Sequence, residues 1–178
     1  MSAHRIRILE SFGNAPAILH GALRRFPRRM WFYSDSPDCP SIHDRVWHIA
    51  EIETVEYVNC GRFSAEPHVP MLEIDSSRWI SRRRYFFQNV KDGLGIFRVL
   101  RRALYHRLQT LPEAAWAQTA DLPILGRLCL ERWIEIRETY VPGQIREMER
   151  IHSEWLNMTS SKAITSARKA WRSKALVS

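Results

Sequence analysis

The side chains best suited to chemistry lie in two distant segments. SIHDRVWHIAEIE at 41–53 carries His48 and Glu53, and LERWIEIRETYVPGQIREMER at 130–150 carries Tyr140 and Gln144. A neutral imidazole such as His48 is a good ligand for zinc, nickel or iron. Tyr140 and Gln144 are four residues apart, so on a helix they project from one face. A phenol and an amide suit hydrogen bonding better than metal ligation: tyrosine ionises only near pH ~10, and glutamine offers a neutral carbonyl oxygen. Glu53 and Glu56 fall near the apolar face marked by Ile42, Val46 and Ile49. A carboxylate there is either paired, here with one of many arginines, or functional as a general base or hydrogen-bond acceptor. His43, five residues before His48, points to a different face and is expected exposed in a first helical turn. His68 and His106 stand at no ligand spacing.

The elements that must position these residues read as helices. Ile6, Leu9, Phe12, Leu19, Leu23 and Phe26 recur at helical spacing, with Gly13 and Pro16 predicting a kink or a late start near Asn14. After a proline-punctuated loop at 27–40, Ser41 is a good N-cap for a second helix running to about Gly61. Residues 63–77 form a connection, and a short helix is expected from Ser77 to Gln88. A third long helix is expected from Asp92 to Leu111. LPEAAW then reads as a turn plus one helical turn, 117–126 as a loop, and Arg127 to Leu156 as the last long helix. No segment shows sustained strand alternation and no internal repeat is visible, so the chain reads as an all-α four-helix bundle. The connection between the second and third helices is long enough to cross the bundle.

The composition sets limits. The 178 residues suit one domain with a sizeable core. No stretch approaches the ~20 apolar residues of a membrane span, and the N-terminus has no long apolar run of a secretory signal. Both absences predict a cytoplasmic protein. Cys39, Cys60 and Cys129 form no C-x-x-C pair and are expected to be reduced. The net charge of +8 is uneven: residues 157–178 hold five basic and no acidic residues, while 1–156 hold 22 basic and 19 acidic. The high pI therefore comes largely from a separable basic tail that could form a short extra helix, and says little about the body's ligand. The arginine clusters at 24–25, 28–29 and 82–84 are interspersed with acids and read as solvated surface, so nucleic acid is not favoured as a partner. Walker, dinucleotide, zinc-protease and hydrolase-elbow motifs are absent from the sequence.

Together the two segments resemble the halves of the helical metal site of DinB-like proteins. In that family one histidine comes from the second helix of a four-helix bundle, and two more come from the last helix in a pattern close to H-V-P-G-H-I-A-Q-M. His48 matches the first, whereas the other two positions read Tyr140 and Gln144 in YVPGQIREM. AEPHVPMLEIDSSRW at 65–79 is similar to the family's E-P…P…D…W connector, and LQTLPEAAW at 108–116 to the stretch before its last helix, so the resemblance covers about 5–150. It implies a four-helix bundle, a proline–glycine bend inside the last helix, and a glutamate at the position of Glu53. Many relatives bind a divalent metal, some transfer low-molecular-weight thiols, and dimers are common.

These expectations define three function classes. The leading one is a DinB-like bundle with a degenerate metal site at His48, Tyr140, Gln144 and Glu53, binding a small ligand or lacking catalysis, with no cofactor. The second is a thiol-transferase-like or other metal-dependent enzyme in which His48 holds zinc, nickel or iron. The third is an interaction protein using its basic tail on nucleic acid or an anionic surface. No catalytic residue is assigned by the sequence.

Overall fold

Among the described residues four long helical runs follow one another, and each can be traced to local sequence chemistry. The computed structural model describes residues 2–36, 39–66, 70–75, 85 and 88–175, except for the side chains of 64 and 162–175. The short helix expected from Ser77, together with His68, Trp79 and the arginines at 82–84, falls almost wholly outside the described residues.

Helix α1 spans Ala3–Leu23, with Ser2 as N-cap accepting from the Arg5 amide. It does not start late, and it continues through Pro16 as one helix. Proline lacks the N–H that would bond the carbonyl of Phe12. Arg101 supplies the missing donor, its Nη1 lying 3.2 Å from the Phe12 oxygen. Gly13 helps the same contact: a Cβ there would lie 2.8 Å from the Tyr105 ring, so glycine lets the third helix come close.

After a short 3-10 turn at Arg28–Met30, helix α2 spans Ile42–Ala65. The expected Ser41 cap is present as a full capping box with Asp44. His43 departs from expectation. It is buried, its Nε2 lies 2.8 Å from the Gln88 carbonyl, and its ring packs on Phe32. The start of α2 is thus covered by the loops on either side of it, which periodicity within one helix cannot reveal. Helix α3, Val90–Thr110, starts at an Asn89 cap and buries Phe97, Arg101, Leu104 and Leu108. The one-turn helix α4, Glu113–Trp116, follows as expected.

The expected loop at 117–126 is instead a β-hairpin. Strand β1, Thr119–Leu122, pairs antiparallel with β2, Gly126–Cys129, with Gly126 at φ 74 in the left-handed region. Ala120 and Leu122 are buried, and the Met71 amide donates to the Asp121 carbonyl. Strands of four residues are too short to show periodicity against a helical background. The sheet is a minor addition to a helical bundle.

The last run begins later than expected and is broken. Helix α5 spans Leu130–Glu138 and helix α6 spans Tyr140–Ala175, with Thr139 between them. Pro142 explains the break, since it has no N–H for the Glu138 carbonyl. Gly143 restores the ladder by donating to Thr139. The backbone of α6 continues as one helix through the basic segment to Ala175.

The core divides into two apolar clusters. One gathers Leu19, Met30, Val46, Ile49, Phe97, Met148 and Trp155, and the other gathers Leu9, Phe12, Phe63, Leu104, Leu108, Leu130 and Trp133. On α2, α3 and the α5–α6 run, charged residues fall between the stretches that feed the two clusters: Glu53 and Glu56, Arg101, and Arg137. The bundle therefore has a polar middle layer. Among the described residues no helix is long and apolar enough to cross a membrane.

Candidate functional site

The middle layer contains two carboxylate–guanidinium contacts of different quality. Glu53 (1% exposed) takes both Nε and Nη2 of Arg101 (3% exposed) at 2.8 and 2.7 Å. The Arg101 guanidinium also lies 3.7 Å from the centroid of the Phe12 ring. Burial pushes the Glu53 carboxyl up, against the pull of Arg101. Glu53 is thereby engaged in tying α2 to α3 and α1.

Glu56 lies one turn along α2, with Oε1 3.0 Å from Arg137 Nε of α5. The two are within ion-pair distance but not aligned for a hydrogen bond, and Arg137 Nε and Glu56 Oε2 have no hydrogen-bond partner. Burial pushes the Glu56 carboxyl up to about 8, with Arg137 opposing the shift.

Arg45, three residues before His48, is 8% exposed. Its Nη1 donates to Gln144 Oε1 at 2.9 Å, and its Nη2 lies 3.6 Å from a half-exposed Glu147 carboxylate. Its Nε has no partner. The contacts 45–144 and 56–137 run in opposite directions along the two elements, so α2 and the α5–α6 run are antiparallel here. On α2, His48 falls between the two contacts. On the other side, Tyr140 does.

His48 is 1% exposed, and neither imidazole nitrogen has a hydrogen-bond partner. Nδ1 is 3.9 Å from Glu51 Oε2, and Glu51 also accepts from the Tyr85 hydroxyl. Burial, helped by the positive charge of Arg45, lowers the His48 pKa to about 4, so the ring is neutral. The Tyr140 hydroxyl is buried without a partner, and burial raises its pKa, so it remains a phenol. Tyr140 also lines a cleft of about 510 Å³, together with Glu56, Arg137 and residues of the 72–75 connection. A larger groove of about 850 Å³ runs between α1 and α3, and none of His48, Glu53, Tyr140 and Gln144 lines it.

Of the four residues marked by the sequence, Gln144 is met by Arg45, Tyr140 faces the cleft, His48 is buried between the flanking contacts, and Glu53 is bound to Arg101. Arg45 and Arg137 were not singled out from sequence. Their signal was available: Arg45 is three residues from His48, and Arg137, Tyr140 and Gln144 follow at intervals of three and four on one helical face. Among the described residues no group of three or more His, Cys, Asp or Glu is placed to hold a metal ion. The three cysteines are free.

Comparison with known proteins adds a structural likeness. No family model matches this sequence, and neither does any curated protein. A solved structure, YfiT from Bacillus subtilis, is described as a probable metal-dependent hydrolase with an unusual four-helix bundle topology. It matches with a TM-score of 0.77 at 14% identity, over 87% of this chain and 90% of its own. At that identity the likeness speaks to architecture alone. The chain therefore has the DinB-like four-helix-bundle fold.

Proposed function

We propose that this protein is a DinB-like bundle whose metal centre has been replaced by a polar pocket, and that it binds a small ligand without metal-dependent catalysis. The observation that carries the proposal is the Arg45–Gln144 hydrogen bond. It sets a permanent positive charge against one of the family's ligand positions, and that position's only acceptor oxygen already has a donor. Tyr140, at the second position, stays protonated through burial. His48 alone is a competent ligand, and one imidazole beside a guanidinium is a poor site for a divalent cation. The donor set therefore does not fit zinc, nickel or iron.

Unpartnered buried polar atoms argue for a pocket. His48 carries two and Tyr140, Arg45 and Arg137 one each, and such groups are costly unless water or a ligand satisfies them. The test is elemental analysis of protein purified without a histidine tag. Well under one equivalent of zinc, nickel or iron is expected, and stoichiometric metal would reject the proposal.

A metal-dependent enzyme, hydrolase or thiol-transferase-like, is the second reading. One observation favours it: both His48 nitrogens are buried and free of hydrogen bonds, as an unloaded ligand would be. The same elemental analysis decides between the two.

A further inference from the structure

We infer that the cleft between α2, the 72–75 connection and the α5–α6 junction binds a small carboxylate with an apolar body, its head group held by Arg137 and Tyr140. The inference rests on the proposal that the site is a ligand pocket, and it names the ligand class.

Shape and lining support it first. The cleft's volume of about 510 Å³ lies within the range of small-molecule pockets. Ile52 and Val55 of α2, Leu72 of the connection and Ile136 of α5 give it apolar walls, while its polar lining includes Tyr140, Arg137 and Glu56. The ligand it fits is apolar along most of its length and polar at one end.

The chemistry of that end selects the head group. Arg137 Nε and the Tyr140 hydroxyl have no hydrogen-bond partner. Both can donate, and an arginine fork matches the two oxygens of a carboxylate. The nearby carboxylate, Glu56, does not meet Arg137 in hydrogen-bond alignment. Burial also pushes its carboxyl up, which weakens its compensation of the guanidinium charge. A carboxylate ligand would add countercharge in hydrogen-bond alignment and satisfy the phenol.

The acidic groups of the cleft point to the competing class. Glu73 and Asp75 also line it. Glu73 Oε2 accepts from the Ile124 amide at 2.7 Å, so one of its oxygens serves the hairpin turn. If these two acids governed recognition, the ligand would be an amine.

Titration calorimetry on the full-length protein separates the classes, using octanoate and octylammonium as probes of equal length. Octanoate should bind one-to-one and at least about tenfold more tightly than octylammonium. Arg137→Leu should weaken octanoate by about tenfold or more, the usual loss when a charged hydrogen bond is removed, and Tyr140→Phe by about threefold to tenfold. Arg137→Lys guards against a folding defect in the leucine variant: it keeps the charge, loses the fork, and should bind with intermediate affinity. Octanoate failing to bind the folded metal-free protein would overturn the inference. So would unchanged affinity in Arg137→Leu and Tyr140→Phe, or octylammonium binding as tightly as octanoate. Stoichiometric metal in the same preparation would instead overturn the proposed function beneath it.

Discussion

Arg45 reaches across the α2–α6 contact to donate a 2.9 Å hydrogen bond to Gln144, placing a fixed cation one helical turn from His48. Placing the histidines of the DinB-like pattern at 140 and 144 is therefore not expected to be sufficient for a metal centre. Tyr140→His with Gln144→His rebuilds an imidazole pair on one helical face, yet it leaves the guanidinium in place. The double variant is expected to bind zinc weakly, and adding Arg45→Met should tighten binding by at least about tenfold, the sign set by removal of like-charge repulsion. Competition against a chromophoric chelator measures both. Equal affinities would show that Arg45 does not guard the site.

The Glu53–Arg101 pair should dominate the stability of the middle layer. Removing one member of a buried pair strands the other's charge, at a cost of about 3–5 kcal/mol. Arg101→Ala should reach or exceed this range because it also leaves the Phe12 carbonyl without its donor. Glu53→Gln should cost less, since the amide keeps one acceptor for Arg101. Urea unfolding of the two variants gives the comparison, and a loss under about 1 kcal/mol for Arg101→Ala would contradict the assignment.

Stability should fall on both sides of mildly acidic pH. Glu56 has a folded pKa raised to about 8, so its contribution is full below the unfolded carboxyl value and is lost as pH rises toward 8. His48 has a folded pKa lowered to about 4, so its contribution is full above the unfolded imidazole value and is lost as pH falls toward 4. Each group sets a slope of up to about 1.4 kcal/mol per pH unit inside its window. Glu56→Gln should remove the alkaline fall and His48→Gln the acid fall; where the two windows overlap, each substitution also uncovers the other group's slope. Denaturant midpoints across the two windows test both, and an unchanged alkaline limb in Glu56→Gln would show that Glu56 ionises normally.

The basic segment is expected to be dispensable for folding. Trp155 is buried and Met158 packs beside the same cluster, so a cut after Ser161 spares both. Deleting 162–178 is expected to leave the melting temperature within a few degrees, and neither form should retain duplex DNA at about 150 mM salt. Binding by the full chain that falls steeply with salt and vanishes on deletion would instead make the tail a polyanion-binding arm.

Most of the architecture was legible from sequence. Ser41 marked the start of α2, and apolar spacing located the long helices to within a few residues at most ends. What could not be read depended on partners distant in the chain. Pro16 suggested a kink or a late start because Arg101, 89 residues from Phe12, cannot be seen to supply the missing donor. His43 looked exposed because the loops that cover it are not part of its helix. The hairpin was too short to register as alternation. At the site, the unusual residues Tyr140 and Gln144 stood out against the family pattern, whereas Arg45 and Arg137 did not. An arginine on an amphipathic helix is ordinary until the opposite helix is known.

The hydrogen bond from Arg101 to Phe12 also bears on how the molecule comes apart. Helix α1 has a gap in its ladder at Pro16 that α3 fills, so α1 cannot be a finished helix before α3 has docked. Local fraying of α1 alone would reopen that gap and disturb the Glu53 pair at the same moment. Amide protons in the middle of α1 should therefore exchange only through the same global opening that exposes α2 and α3, making the three helices one cooperative unit.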